Sequence, residues 1–197
     1  MNLILRKRIR GCAVGAAVGD ALGMPLEGSW RQPTNRLVRE MRAGHLPAGT
    51  ITDDTEMALA LAESLLAHYP LDPADLAQRF AAWFRAGPTD IGNQTYAVLA
   101  RIATGETWQR AVEAVQKRWP ESAGNGSVMR CWPVALAHWN NSADMSQPGR
   151  GLEALLADSR LQSQITHPHV DCVAGCAFVN VAIYYLLQGM TPATAIQ

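Results

Sequence analysis

The sequence predicts an all-α fold, and three observations carry that prediction. Hydrophobic residues fill 48% of the 197 positions, and much of that share is alanine, which suits closely packed helices better than sheets. No run of alternating Val, Ile and Thr marks a strand. Stretches rich in helix formers recur along the whole chain, separated by short polar or glycine-proline breaks. At this length one domain spanning 1–197, a compact multi-helix bundle, is the expected arrangement.

The elements follow in order. Residues 3–22 read as a helix with Gly11, Gly15 and Gly19 four apart on one face. Glycine inside a helix costs about 1 kcal/mol, so another helix is expected to press against that face. Gly23-Met24-Pro25 ends the run, because the residue before proline avoids helical geometry. Residues 29–50 read as an irregular connection with a short helix at 36–42. Further helices are expected at 52–68, 73–84, 91–103, 108–118, 128–139, 152–158 and 170–187, with another starting near Thr191-Pro192. Asp72-Pro73 supplies a cap followed by proline at the first helical position, and Thr107 can cap the helix that follows Gly105.

Charge and cysteine usage narrow the function classes. Formal net charge is zero, and apart from Arg6, Lys7, Arg8 and Arg10 the basic residues are scattered, so nucleic acid is not an expected partner. Cys12, Cys131, Cys172 and Cys176 lack both CxxC spacing and the density of a disulfide-stapled secreted domain, which makes a reducing cytoplasm the expected compartment. Cys172 and Cys176 fall four apart in an apolar run and are expected to share a buried helix face. The basic start followed by Gly11 to Gly19 imitates a signal peptide, but the run is weakly hydrophobic and stops at Asp20. No run of roughly 20 apolar residues is apparent, and no membrane partner is expected.

Chemistry concentrates at four breaks. Thr52-Asp53-Asp54-Thr55 opens the helix at 52–68, where one short polar side chain would suffice as a cap. The surplus of oxygens also suits a hard cation, and both readings stay open on the residues alone. Asp90, in Gly87-Pro88-Thr89-Asp90-Ile91-Gly92, can cap the next helix or present a carboxylate to a ligand. Ser122 to Ser127 is glycine-rich and can aim backbone N–H groups at a phosphate where the next helix begins, or serve as a plain linker. Met129 stands where a dinucleotide fingerprint needs its third glycine. In Thr166-His167-Pro168-His169 the two histidines lack further nitrogen or sulfur ligands nearby, so a zinc site is not expected.

Taken together, Gly19-Asp20-Ala21-Leu22-Gly23 with Glu27, Thr52-Asp53-Asp54-Thr55, Gly124-Asn125-Gly126 with Met129-Arg130, and Thr166-His167 resemble the ADP-ribosylglycohydrolase family, which includes the dinitrogenase reductase-activating glycohydrolases. The motifs run in the family's order from about residue 10 to about residue 175. The resemblance implies an all-α fold holding two Mg²⁺ or Mn²⁺ ions, with Thr52, Asp53 and Asp54 matching metal ligands. It further implies catalytic roles for Glu27 and Asp54. Asp90 and Gly92 match a loop beside the ribose, Ser122, Gly124, Asn125, Gly126 and Ser127 match the loop along the diphosphate, and His167 matches a substrate-contacting histidine.

Members of that family also carry a C-terminal Asp-x-Asp-Thr motif that completes the two-metal site, and none occurs in this sequence. The expectation is therefore a C-terminally incomplete family bundle with one half of the metal constellation. The implied function is metal-dependent removal of ADP-ribose from modified protein side chains by hydrolysis of an N- or O-glycosidic bond. The alternative is a catalytically impaired ADP-ribose-binding or interaction protein. The expected partner is an ADP-ribosylated protein or an ADP-ribose-like small molecule, and self-association into a homo-oligomer is compatible with the sequence.

Overall fold

The computed structural model describes residues 2–28, 37–139 and 150–196, and the regular structure among them is helical throughout. Asn2 starts α1 (Leu3–Gly23) by accepting a hydrogen bond from the Leu5 N–H at 2.8 Å, and a 3₁₀ turn, Met24–Leu26, follows directly. After the loop to Ile51 come α2 (Asp53–Ala67) and α3 (Pro73–Arg85), the latter capped by Asp72 on the Ala74 N–H. Next are α4 (Asn93–Ala103), stopped by Gly105 at φ +100°, and α5 (Trp108–Arg118). A second 3₁₀ turn, Asn125–Ser127, precedes α6 (Pro133–Ala137), α7 (Arg150–Gln164), α8 (Val170–Leu187) and α9 (Pro192–Ala195).

The core gathers Met57, Leu61 and Leu65 of α2, Leu76 and Phe80 of α3, Val98, Leu99 and Ile102 of α4, and Leu155 of α7. Each fully buried Leu or Phe contributes roughly 1.5–3 kcal/mol relative to exposure. Burial of this α2 face fixes the rotation of the helix and so the direction in which its N-terminal carboxylates point. α2 packs on α3 and α6, α3 on α4, α4 on α5, and α7 on α8, leaving α1 against α2 and α8.

Three expectations need correction. Residues 37–42 form no helix; Leu37 and Met41 are exposed there, so this stretch has no core face to stabilise an isolated turn. Arg36 lies outside the described residues. The helix expected over 128–139 shrinks to five residues from Pro133, because the chain first passes through the 3₁₀ turn and a further turn at 128–130. The helix expected at 152–158 instead runs to Gln164, and its buried residues include Asp158, Ser159, Gln162 and Ser163.

Two further readings changed. A Cβ added at Gly11, Gly15 or Gly19 would meet nothing within 4 Å, so among the described residues nothing presses on the glycine face of α1. α8 is apolar enough over its 18 residues, with mean hydropathy 1.8, to match a membrane span by length and composition. In the fold its inner face instead carries Cys172, Cys176, Asn180 and Tyr184. The buried Asn180 amide donates to the Ser159 hydroxyl at 3.0 Å and accepts from the Ala135 N–H at 3.3 Å. Cys172 and Cys176 share that buried face as expected.

Candidate active site

The N-terminus of α2 is capped from another helix. Thr52 makes no side-chain cap of its own; instead the Asp20 carboxylate of α1 accepts from the Thr52 N–H at 2.9 Å and the Thr55 N–H at 3.2 Å. The same carboxylate accepts from the Thr52 hydroxyl at 2.8 Å and from the Thr55 hydroxyl. The orphan N–H groups of the first turn are therefore satisfied by Asp20. That releases Asp53 and Asp54 from capping, and both line a cavity of about 410 Å³. The local capping reading of the cluster is thus overturned by a residue 32 positions away.

Glu27 and Asp90 complete the acidic wall. Glu27 follows the 3₁₀ turn after α1, and Asp90 lies two residues before Gly92, the N-cap position of α4. Asp90 does not cap α4; its carboxylate meets the His45 Nε2 at 2.9 Å. His45 reaches it because the loop backbone crosses Pro25 so closely that a Cβ on Gly44 would lie 2.6 Å from the Pro25 Cα. Glu27, His45 and Asp90 each bring one ligand atom within 4.8 Å of the others.

These carboxylates hold protons more tightly than usual. Glu27 is raised to about 7, first by desolvation, then by its hydrogen bond with Asp90 and the charges of Asp90, Asp54 and Asp53. Asp53 is raised to about 6 by burial and by Asp54 and Asp90, against the opposing hydrogen bond from the Gly92 backbone. Asp54 is raised by burial and by Asp20. The cause common to the three is crowded negative charge away from full solvation.

The remaining residues that line the cavity are polar or apolar and carry no carboxylate. Ser122 donates to the Gln94 side-chain oxygen, and the Gln94 amide donates to the Thr166 carbonyl at 2.7 Å. Behind it Arg130, fully buried, lies over the Phe80 ring at 4.3 Å and donates to the Thr166 hydroxyl at 2.8 Å. His167 follows, 3% exposed, with the Gly124–Gly126 backbone beside its imidazole. A Cβ on Gly126 would stand 2.7 Å from the His167 Cε1, so only glycine lets the loop approach this closely.

The structure brings most of the expected residues together. Glu27, Asp53, Asp54, Asp90, Gly92, Ser122, Gly124, Asn125, Gly126 and His167 all line the cavity. Thr52 does not; it is 1% exposed, with its hydroxyl proton turned to Asp20 and its oxygen 3.2 Å from Asp54. Ser127 is fully buried behind the loop, its hydroxyl 2.8 Å from that of Ser163. No long helix starts after the glycines to aim N–H groups at an anion, because a 3₁₀ turn occupies that place. Sequence reasoning assigned no role to Asp20, His45, Gln94, Arg130 or Thr166. Asp20 carried a signal, as the sole charged side chain between Gly11 and Leu26; His45 carried none.

The acidic wall predicts a pH effect on the cation-free protein. For Asp53 the folded pKa of about 6 exceeds the ordinary 3.8, so its contribution to stability is fully present below pH 4 and is lost as pH rises through 6. Asp53→Asn removes that loss. The melting temperature of Asp53→Asn should equal that of the wild type near pH 4 and exceed it by roughly 5 °C at pH 7.5 without divalent cations. Parallel curves across that range would show that Asp53 titrates as an ordinary carboxylate.

The model of the ADP-ribosylglycohydrolase family matches residues 1–197. An ADP-ribosyl-[dinitrogen reductase] glycohydrolase from Rhodospirillum rubrum is 37% identical over 190 residues, covering 92% of this chain and 58% of that protein. The ADP-ribosylarginine hydrolase Tri1 of Serratia proteamaculans is 32% identical over 194 residues, covering 92% and 48% respectively. A solved structure titled "ADP-ribosylglycohydrolase-related protein complex" superposes with a TM-score of 0.73 at 34% identity, covering 98% of this chain and 60% of that one. The chain thus spans about half to three-fifths of the length of these relatives.

Proposed function

The chain belongs to the ADP-ribosylglycohydrolase family, and from that membership we propose that it is a metal-dependent hydrolase that removes ADP-ribose from modified protein side chains. The observation that carries the reading is a single cavity lined both by four carboxylates, Glu27, Asp53, Asp54 and Asp90, and by the glycine loop with His167. A nucleotide sugar presents hydroxyls and an anomeric carbon at one end and a diphosphate at the other, and the two sets of residues suit those two ends.

The acidic wall fits a hard divalent cation. Its donors are the carboxylate oxygens of Glu27, Asp53, Asp54 and Asp90, with the Thr52 hydroxyl oxygen 3.2 Å from Asp54, and burial followed by mutual repulsion raises the pKa values of Glu27, Asp53 and Asp54. Thr52, Asp53 and Asp54 are the residues that would hold Mg²⁺ or Mn²⁺. The chemistry such ions supply when bound is orientation of ribose hydroxyls and polarisation of a water near the anomeric carbon.

The chain's own groups divide the remaining work. Hydrolysis forms a bond between water oxygen and the anomeric carbon, breaks the C–N or C–O bond to the side chain, and moves one proton from the water to the leaving group. Glu27, which lines the cavity beside Asp53, Asp54 and Asp90, would take that proton from the water and return it to the leaving group. Asp54 would steady positive charge developing on the sugar, and Asp90 and Gly92 would border the ribose. Ser122, Gly124, Asn125 and Gly126 would follow the diphosphate with loop N–H groups and short polar side chains.

A second reading is an ADP-ribose-binding protein without turnover. The glycine loop and His167 can meet a diphosphate with neutral polar groups alone. Incubation with Mg²⁺ and an arginine-ADP-ribosylated protein separates the two. The hydrolase reading expects free ADP-ribose, abolished by a chelator. Calorimetric binding of ADP-ribose that survives the chelator, without release from the modified protein, establishes the second reading in its place.

A further inference from the structure

His167 is held by a chain of hydrogen bonds that leaves its imidazole one tautomer. The Arg130 guanidinium has donors only, and it bonds the Gln162 side-chain and main-chain oxygens at 3.3 and 3.1 Å and the Thr166 hydroxyl at 2.8 Å. It makes no ion pair with a carboxylate among the described residues. The Thr166 hydroxyl, fully buried, lies 2.8 Å from the His167 Nδ1. Because Arg130 occupies one lone pair of that oxygen, the Thr166 proton needs an acceptor, and Nδ1 is the acceptor in reach. With Nδ1–H as donor instead, the buried Thr166 proton would have no partner among the described residues, an arrangement disfavoured by about tenfold or more.

Everything around this pair holds it still. Gln94 grips the Thr166 carbonyl at 2.7 Å. The His167 N–H donates to the Ser163 carbonyl at 2.7 Å, and the Ser163 hydroxyl lies 2.9 Å from the His167 carbonyl. Gly126 lies beside the Cε1–Nε2 edge of the ring, where a Cβ would stand 2.7 Å from Cε1 and 2.9 Å from Nε2. That leaves Nε2, on a residue that is 3% exposed and lines the cavity, with no hydrogen-bond partner among the described residues. A second cation beside the Arg130 charge is disfavoured, and burial together with that charge lowers the imidazole to about 3.

We propose that Arg130 and Thr166 lock His167 as a neutral Nε2–H donor, so that this point of the cavity accepts only a ligand oxygen with a free lone pair and never a donor. His167 is then a specificity-determining contact and not an acid or base, and Arg130 and Thr166 are positioning residues that act through it. Assigning that ligand oxygen to the diphosphate of a nucleotide sugar rests on the function proposed above; the lock itself does not.

Imidazole ¹⁵N spectra of the labelled protein at pH 7 test the lock without any ligand, with the His167 signals assigned by their loss in His167→Asn. The expected pattern is an unprotonated Nδ1 and a protonated Nε2, unchanged to pH 5. Thr166→Val should release the tautomer into a mixture and weaken ADP-ribose binding about tenfold, and Thr166→Ser should restore both. A protonated Nδ1 or an imidazolium in the wild type overturns the proposal without reference to any variant. An unchanged tautomer in folded Thr166→Val overturns it as well. A locked tautomer whose Nε2 signal ignores millimolar ADP-ribose upholds the lock and counts against the nucleotide-sugar reading alone.

Discussion

Asp53→Asn and Asp54→Asn are each expected to weaken Mg²⁺ or Mn²⁺ binding by at least ~100-fold, since loss of groups merely supporting a ligand already costs 10–100-fold. Helical content should stay intact, because Asp20 and not these side chains caps α2. Asparagine keeps the shape of each side chain and one oxygen, so what it removes is charge. The consequence has two signs: without cation, Asp53→Asn relieves repulsion among carboxylates that lie within one cavity, and with cation it removes the attraction those charges provide. Calorimetric titration with Mn²⁺ and thermal unfolding of the cation-free proteins read the two effects separately. Unaltered affinity in both variants would show that the α2 N-terminus is not a cation site.

Where the sequence was legible, local chemistry and tertiary structure agreed. Asp72-Pro73 starts α3 and the apolar run from Val170 is α8, since in each case the signal lies within the element itself. It misled where a helix turns polar residues inward. The helix expected at 152–158 stopped short of Gln162 and Ser163, which face the interior to receive Arg130 and to hold His167. A buried guanidinium needs such a lining, and no periodicity rule announces it. The motifs placed Asp53, Asp54, Glu27 and His167 at the cavity, because residue type and spacing identify groups that face a ligand. They did not reveal what orients those groups. Asp20, Gln94 and Arg130 act through partners 32, 72 and 36 positions away, and such pairings exist only once the chain has folded.

Asp20→Ala should lower the melting temperature of the cation-free protein by roughly 5–15 °C. The carboxylate accepts from two N–H groups and two hydroxyls of α2. Loss of an N-cap costs about 0.5–2 kcal/mol and loss of a hydrogen bond to a charged group about 1.5–3 kcal/mol, so about 2–4 kcal/mol is a reasonable non-additive sum. The effect is large because α1 has few other holds. Among the described residues Ala21 is its one buried residue, a Cβ on Gly11, Gly15 or Gly19 would meet nothing within 4 Å, and Arg8 reaches the Leu187 carbonyl at 3.0 Å. Asp20→Asn should fall between, since one amide oxygen can still accept while its NH₂ confronts groups that themselves donate. If Asp20 positions the cluster, both variants also lose Mn²⁺ affinity although neither alters Asp53 or Asp54, and hydrogen exchange quickens at the first turn of α2. A melting temperature within 1 °C of the wild type would show that Asp20 is a bystander and that α2 caps itself.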